Sequence, residues 1–264
     1  MNIIIKTPKE IEILRAGGKR LAFVLHEVAK RVVPGISTKE LNDYAEKLIR
    51  EGGLAPRSLG EVGDQPAFLN YQPSGSRSPY PASLCTSVND EIVHCVPKED
   101  RILKEGDIIS IDLGLKHKGM FTDMAMTVPV GKIDVESKKL IEVTRKALET
   151  GIAAAQGGNH IGDIGEAIEK FVDKRYGIVR ELAGHGVGRE IHEAPFVPNY
   201  GGRGKGEKLV PGMVIAIEPM LNLGTEKIIF ENDYTVRTKD GKRSAHFEHT
   251  ILITEGKPEI LTSL

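Results

Sequence analysis

Cysteine is nearly missing from this chain: Cys85 and Cys95 are the only two in 264 residues. Two thiols cannot staple a fold of that size, and no CxxC pair offers a zinc knuckle. An excess of one charge is missing too. Lys and Arg number 36 against 37 Asp and Glu, a formal net charge of −1 that leaves no field for nucleic acid or an anionic membrane surface. No apolar run approaches membrane-spanning length. The opening MNIIIKTPKE sets three isoleucines before Lys6 and Pro8, which reads as neither signal peptide nor transmembrane helix. The expectation is a reduced, cytoplasmic protein. What is present, 40% hydrophobic and 28% charged residues, suffices for a large core. A prior of ~150 residues per domain would suggest two domains, though single α/β domains of this length are common.

Four stretches divide the chain. Residues 7–52 predict helix: Thr7, Pro8 and Glu10 make a capping-box start, and Ile11, Leu14, Leu21, Leu25 and Val28 follow at helical spacing up to Pro34-Gly35. Ser37 with Glu40 starts a second helix that runs through Leu41, Leu48 and Ile49. Residues 54–80 hold much Pro, Gly and Ser and read as loop. Short β-rich segments fill 81–130, helical patterns return at 135–156 and 161–176, and 179–264 is strand-rich again.

Helices then strands, twice over, suggest an internal duplication. EKLI at Glu46–Ile49 recurs as EKFV at Glu169–Val172, and LKEGDIISID, ending at Asp112, lines up with LVPGMVIAIE, ending at Glu218. Each half offers a second acid on a later strand, Asp123 in TDMAMTV and Glu248 in EHTILIT. A pseudo-two-fold arrangement would bring four carboxylates together. Clustered carboxylates repel one another and are costly to desolvate unless cations neutralise them. Two divalent metals meet that need. Taken alone, Asp112 or Glu218 would read as a solvated strand-end acid; the repeated pair points to a site.

The histidines narrow the choice. GHGVGREIH carries His185 and His192 in a Gly-rich segment after the strand-like IVRELA, and His94 lies in VNDEIVHCVP, just before the first acid strand. His26, His117 and His160 read as structural or surface residues. His246 and His249 read as decoys, although strand alternation puts His246 on the face of Glu248 and His249 on the other. The Gly-rich YGGRGKGEK at 200–208 has neither P-loop nor dinucleotide-binding spacing and reads as a mobile loop.

With CTSVNDEIVHCVP, GDIISIDLG, GHGVGREIHEAP, PGMVIAIEP and FEHTILIT in family order, the chain resembles the bacterial type I methionine aminopeptidases from about Thr7 to Leu261. Five motifs together are highly specific, where any single one would be weak. The resemblance implies the α/β pita-bread fold: one catalytic domain over 1–264, with helices outside a curved antiparallel sheet. Its two pseudo-symmetric halves would be about 7–130 and 135–264. It also implies a dinuclear metal centre. Asp112, Asp123, His185, Glu218 and Glu248 match the ligands, with Asp123 and Glu248 as bridges, His185 and Glu218 on one ion and Asp112 on the other. Co, Mn, Fe(II) and Zn all suit such a donor set.

The activity so implied is removal of the initiator methionine when the second residue is small, by hydrolysis with a metal-bound water. The substrate's free α-amine would bind a metal. His94 and His192 match the family's non-ligand catalytic histidines, with His192 as oxyanion donor and His94 at the scissile nitrogen. Glu218 would relay the proton. Tyr71, Tyr80 and Cys85 resemble methionine-pocket residues, while Ile191 and Tyr234 stand where well-known members often carry larger aromatics. The segment QPSGSRSP at 72–79 looks like an insertion and reads as a surface loop. Expected partners are the N-termini of nascent proteins, with the ribosome a candidate, no nucleic acid and no membrane; a monomer is expected. The rivals are a prolidase or aminopeptidase P, which usually carry a further N-terminal domain, and an inactive peptide-binding protein of the same fold, whose relatives lose ligands that are all filled here.

Overall fold

The computed structural model describes residues 2–51, 63–72, 78–231 and 234–264, so positions 73–77 of the expected insertion lie outside the described residues. The chain enters α1 (Pro8–Lys30) through the expected capping box: the Glu10 N–H donates to the Thr7 hydroxyl, and the Thr7 N–H donates to the Glu10 carboxylate. Leu14, Leu21, Leu25 and Val28 share one side of the helix and are fully buried. Gly35, at φ 95°, turns the chain, and the second box at Ser37 and Glu40 starts α2 (Thr38–Arg50). Next come β1 (Gln65–Pro66), β2 (Leu84–Val88), β3 (Glu91–Val93), β4 (Ile108–His117) and β5 (Met120–Pro129). The second pair of helices is α3 (Val135–Ala154) and α4 (Ile161–Val172). Short strands follow: β6 (Gly177–Ile178), β7 (Gly184–Gly186), β8 (Glu193–Val197), β9 (Val214–Ile217) and β10 (Met220–Asn222). The last are β11 (Ile228–Phe230), β12 (Val236–Thr238), β13 (Ser244–His246), β14 (Glu248–Leu252) and β15 (Glu259–Ile260).

Nine strands form one antiparallel sheet in the order β1-β4-β5-β14-β9-β7-β8, with β2 against β4 and β15 against β14. The two acid-bearing hairpin partners therefore meet in the middle: β4 beside β5, and β9 beside β14, joined along β5 and β14. Alternation decides which face each residue takes. Ile109, Ile111 and Leu113 of β4 pack with Leu21, Leu25, Leu41 and Ile49 of α1 and α2. Ile215 and Ile217 of β9 and Ile251 of β14 pack with Leu148, Ile164 and Ile168 of α3 and α4. Each such buried aliphatic side chain contributes about 1.5–3 kcal/mol of transfer free energy. With the helices covering that face, Asp112, Glu218 and Glu248 are left on the opposite one.

Two local expectations change. Of IVRELA only Ile178 is in a strand, because β6 stops there after pairing with β10. The 200–208 segment, expected to be mobile, is tied to the start of α4. Lys205 and Glu207 carbonyls accept the N–H groups of Gly162 and Ile161, and the Gly204 N–H donates to Asp163. A helix start leaves backbone donors without intrahelical partners, and this loop supplies them. The N-terminal segment is fastened in turn by Lys6, whose ammonium pairs with Glu193 in a site almost closed to solvent. The other Glu193 oxygen accepts the N–H groups of Arg189 and Glu190, so Lys6 braces the loop that carries His192.

Candidate metal centre

Asp112, Ala125 and Glu248 form one row across β4, β5 and β14, with the small alanine between the two acids. Asp123 lies one step along the same face of β5. Its backbone N–H donates to the Thr250 hydroxyl, which donates back to the Asp123 carbonyl. Glu218 follows the last residue of β9, and the Asn199 side-chain amide fixes its backbone by donating to the Glu218 carbonyl at 3.1 Å. His185 comes from β7, where glycine is required. A Cβ at Gly184 would stand 2.2 Å from the Ala216 carbonyl oxygen, and one at Gly186 2.1 Å from that of Ala194. Five neighbouring strands thus deliver the five side chains to one place.

The geometry is that of a cation site. One ligand-type atom each from Asp123, His185 and Glu248 lie within 4.8 Å of one another. His185 Nε2 is 3.6 Å from Glu218 Oε1 and 4.0 Å from Asp123 Oδ2. Its Nδ1 sits 2.9 Å from the Gly186 carbonyl, which can only accept, so the neutral ring aims a lone pair from Nε2 at the carboxylates. Asp112 Oδ1 and Glu248 Oε1 are buried with no hydrogen-bond partner among the described residues. Burial, and then mutual repulsion, push Asp112, Glu218 and Glu248 well above the carboxylate range; burial raises Asp123 to about 7. Lone pairs and unpartnered oxygens pointing at one another fit divalent cations between them. Four oxygen ligands and one imidazole suit the first-row metals named above.

All of the expected site residues reach the same cavity of about 320 Å³: Tyr71, Tyr80, Cys85, His94, His192 and Tyr234 line it with the five ligand-type side chains. Phe68 lines it too and was not foreseen, since a lone Phe in a loop carries no pattern. Ile191 packs behind the wall with Phe68 and Tyr80. Tyr80 and Tyr234 meet edge to face, 5.4 Å between ring centres. The Cys85 thiol, paired in register with Asp112, is pushed well up by burial and by that acid, so it is wall and not nucleophile. His94 opens onto the cavity from a backbone at φ 61°, a conformation costing on the order of 1–3 kcal/mol and typical of functional positions. His192 opens onto it as well, its Nδ1 2.8 Å from the Tyr71 hydroxyl. Desolvation by the cavity walls lowers both rings, which are neutral near pH 7.

The other histidines sort themselves by contact. His26 bonds the Ala22 carbonyl, His117 pairs with Asp64, His160 begins α4, and His249 turns away to the Thr262 hydroxyl. His246 is the correction among the expected decoys. It is buried, with Nε2 3.6 Å from Glu218 Oε2. Asn199 and Thr250 were missed as well, because their roles are made by contacts distant in sequence.

Raised carboxyls lend stability that is complete below their unfolded values and lost as pH rises through their folded ones. The histidines whose values are lowered act oppositely, but only below about pH 6.5. The chelated protein is therefore expected to melt several degrees lower at pH 8.5 than at pH 7, at about 2–4 °C per kcal/mol for this chain length. Saturating Mn(II) should flatten that slope. Parallel melting curves with and without the ion would show that the acids are not neutralised by it.

The profile of metallopeptidase family M24 matches residues 12–255. Methionine aminopeptidase 1 of Bacillus subtilis (strain 168) is 45% identical over 262 residues, 98% of this chain and 99% of that protein. A methionine aminopeptidase of Aquifex aeolicus is also 45% identical, with both chains fully covered. The crystal structure of methionine aminopeptidase from Thermotoga maritima superposes with a TM-score of 0.91 at 40% identity, again over the whole of both chains. The prolidase from Pyrococcus horikoshii shares the fold, with a TM-score of 0.74 at 23% identity, over 98% of this chain and 63% of that one.

Proposed function

This chain belongs to metallopeptidase family M24, among its methionine aminopeptidases with their pita-bread fold, and we propose that it releases the initiator methionine of nascent proteins when the second residue is small. One observation carries the reading: a single cavity has an aromatic wall of Phe68, Tyr71, Tyr80 and Tyr234 facing five ligand-type side chains. The wall suits an unbranched thioether side chain, whose full burial is worth about 1.5–3 kcal/mol. Asp112, Asp123, His185, Glu218 and Glu248 would hold two divalent ions. When bound, such ions supply Lewis acidity and lower the pKa of water enough to provide a nucleophile near neutral pH.

The chain's own groups do the rest. Glu218 takes the nucleophile's proton and passes it to the leaving amine. With the Tyr71 O–H donating to His192 Nδ1, the His192 Nε2–H would be free to donate to the carbonyl oxygen as it gains charge. His94 contacts the nitrogen of the scissile bond. Every residue in this scheme comes from one chain, so a monomer suffices, and no helix among the described residues is long and apolar enough to cross a membrane. The test is Met-Ala-Ser against Ala-Pro with added Mn(II). Release of methionine, abolished by chelation, is expected; faster cleavage of Ala-Pro would overturn the assignment in favour of the prolidase chemistry.

A further inference from the structure

His246 has no part in that scheme, yet its surroundings are not those of an inert core residue. It is 1% exposed, and neither ring nitrogen has a hydrogen-bond partner among the described residues. A buried donor left unpaired costs on the order of 1–3 kcal/mol, so an orphaned imidazole calls for an explanation. Its backbone is locked on both sides, because its N–H donates to the Thr127 hydroxyl and its carbonyl accepts from the same group. Its ring faces the Glu218 carboxyl group. His246 Nε2 stands 3.6 Å from Glu218 Oε2, as His185 Nε2 stands 3.6 Å from Oε1. Glu218 thus lies between two imidazoles, one at each oxygen.

The two rings face it with opposite chemistry. The Gly186 carbonyl takes the Nδ1–H of His185, so His185 turns a lone pair toward Glu218. Among the described residues nothing fixes the proton of His246 at Nδ1, and a carboxylate beside Nε2 favours the tautomer with its proton there. We propose that His246 is a positioning residue for Glu218: its Nε2–H is held for Oε2, so that Oε1 is presented to the space that His185 Nε2 also faces. Carboxylates that ligate metals are themselves hydrogen-bonded, and such outer partners set the orientation and affinity of the site. The inference rests on the dinuclear reading above, with Glu218 as one ligand.

The experiment titrates Mn(II) into chelated protein by calorimetry, for wild type, His246→Leu and His246→Gln, with kcat and KM on Met-Ala-Ser. Leucine fills the space without a donor; glutamine restores an N–H. His246→Leu should still take up two ions, with affinity weakened roughly 10–100-fold and kcat reduced while KM stays near wild type. His246→Gln should regain most of both losses. Wild-type affinity and kcat in the leucine variant would overturn the inference alone. So would saturation at one ion, which would make His246 a ligand, or a well-folded glutamine variant as impaired as leucine. Wild type that binds no Mn(II) would overturn the dinuclear reading beneath it.

Discussion

Asp123→Ala is expected to lose bound metal and activity together. Asp123 lies at the middle of the sheet, between the row of Asp112 and Glu248 and the imidazole of His185, and it is buried. Removing the proposed bridge would weaken both ions at once, and Lewis-acid catalysis supplies several kcal/mol, so kcat should fall on the order of 10³-fold or more. Stability should respond in the other direction from an ordinary core truncation. Without metal, Asp123 raises the pKa values of Asp112, Glu218 and Glu248, and its backbone stays clamped by Thr250. In chelator the variant should therefore melt no lower than wild type near pH 8. Elemental analysis, turnover and melting together decide it. Two ions and full turnover in the variant would remove Asp123 from the bridge.

His192→Ala should separate catalysis from metal binding. His192 lies beside His185, a proposed ligand, 4.3 Å between ring centres, but its Nδ1 is committed to Tyr71. Loss of one oxyanion donor lowers kcat by roughly 10²–10³-fold, and both metals should remain. Tyr71→Phe should give a smaller loss, because the ring is retained while the group that selects its tautomer is gone. An emptied site in His192→Ala would mean that a ligand had been taken for a donor. Equal losses in the two variants would place the donor on Tyr71 instead.

Local signals were legible wherever the physics that writes them is local. Thr7 with Glu10 and Ser37 with Glu40 are capping boxes within one turn, so both helix starts could be read before any fold was known. Strand alternation assigned Ile109 and Ile111 to one face and Asp112 to the other. The repeated strand-then-acid pattern anticipated that Asp112, Asp123, Glu218 and Glu248 would meet. His94, His192 and the pocket residues were a different matter. Nothing in their spacing marks them, and only resemblance to a family pointed there before the cavity gathered them.

What the sequence by itself determined was the inventory and its phase: which segments are helix or strand, and which acids share a face with which apolar partners. Those follow from backbone geometry over a few residues. The order β4-β5-β14-β9-β7 was decided only by the tertiary structure, through hydrogen bonds and buried faces between segments far apart in the chain. The same holds for His246. Alternation assumed one continuous strand through Glu248, but the chain changes sheets at Phe247: β13 pairs with β10, while β14 pairs with β5 and β9. Its distance to Glu218 is set by that switch, and the looped segment at 200–208 is likewise held by a helix start distant in sequence. Contacts of this kind have no period along the chain, because they are fixed by what lies across the fold and not by what comes next.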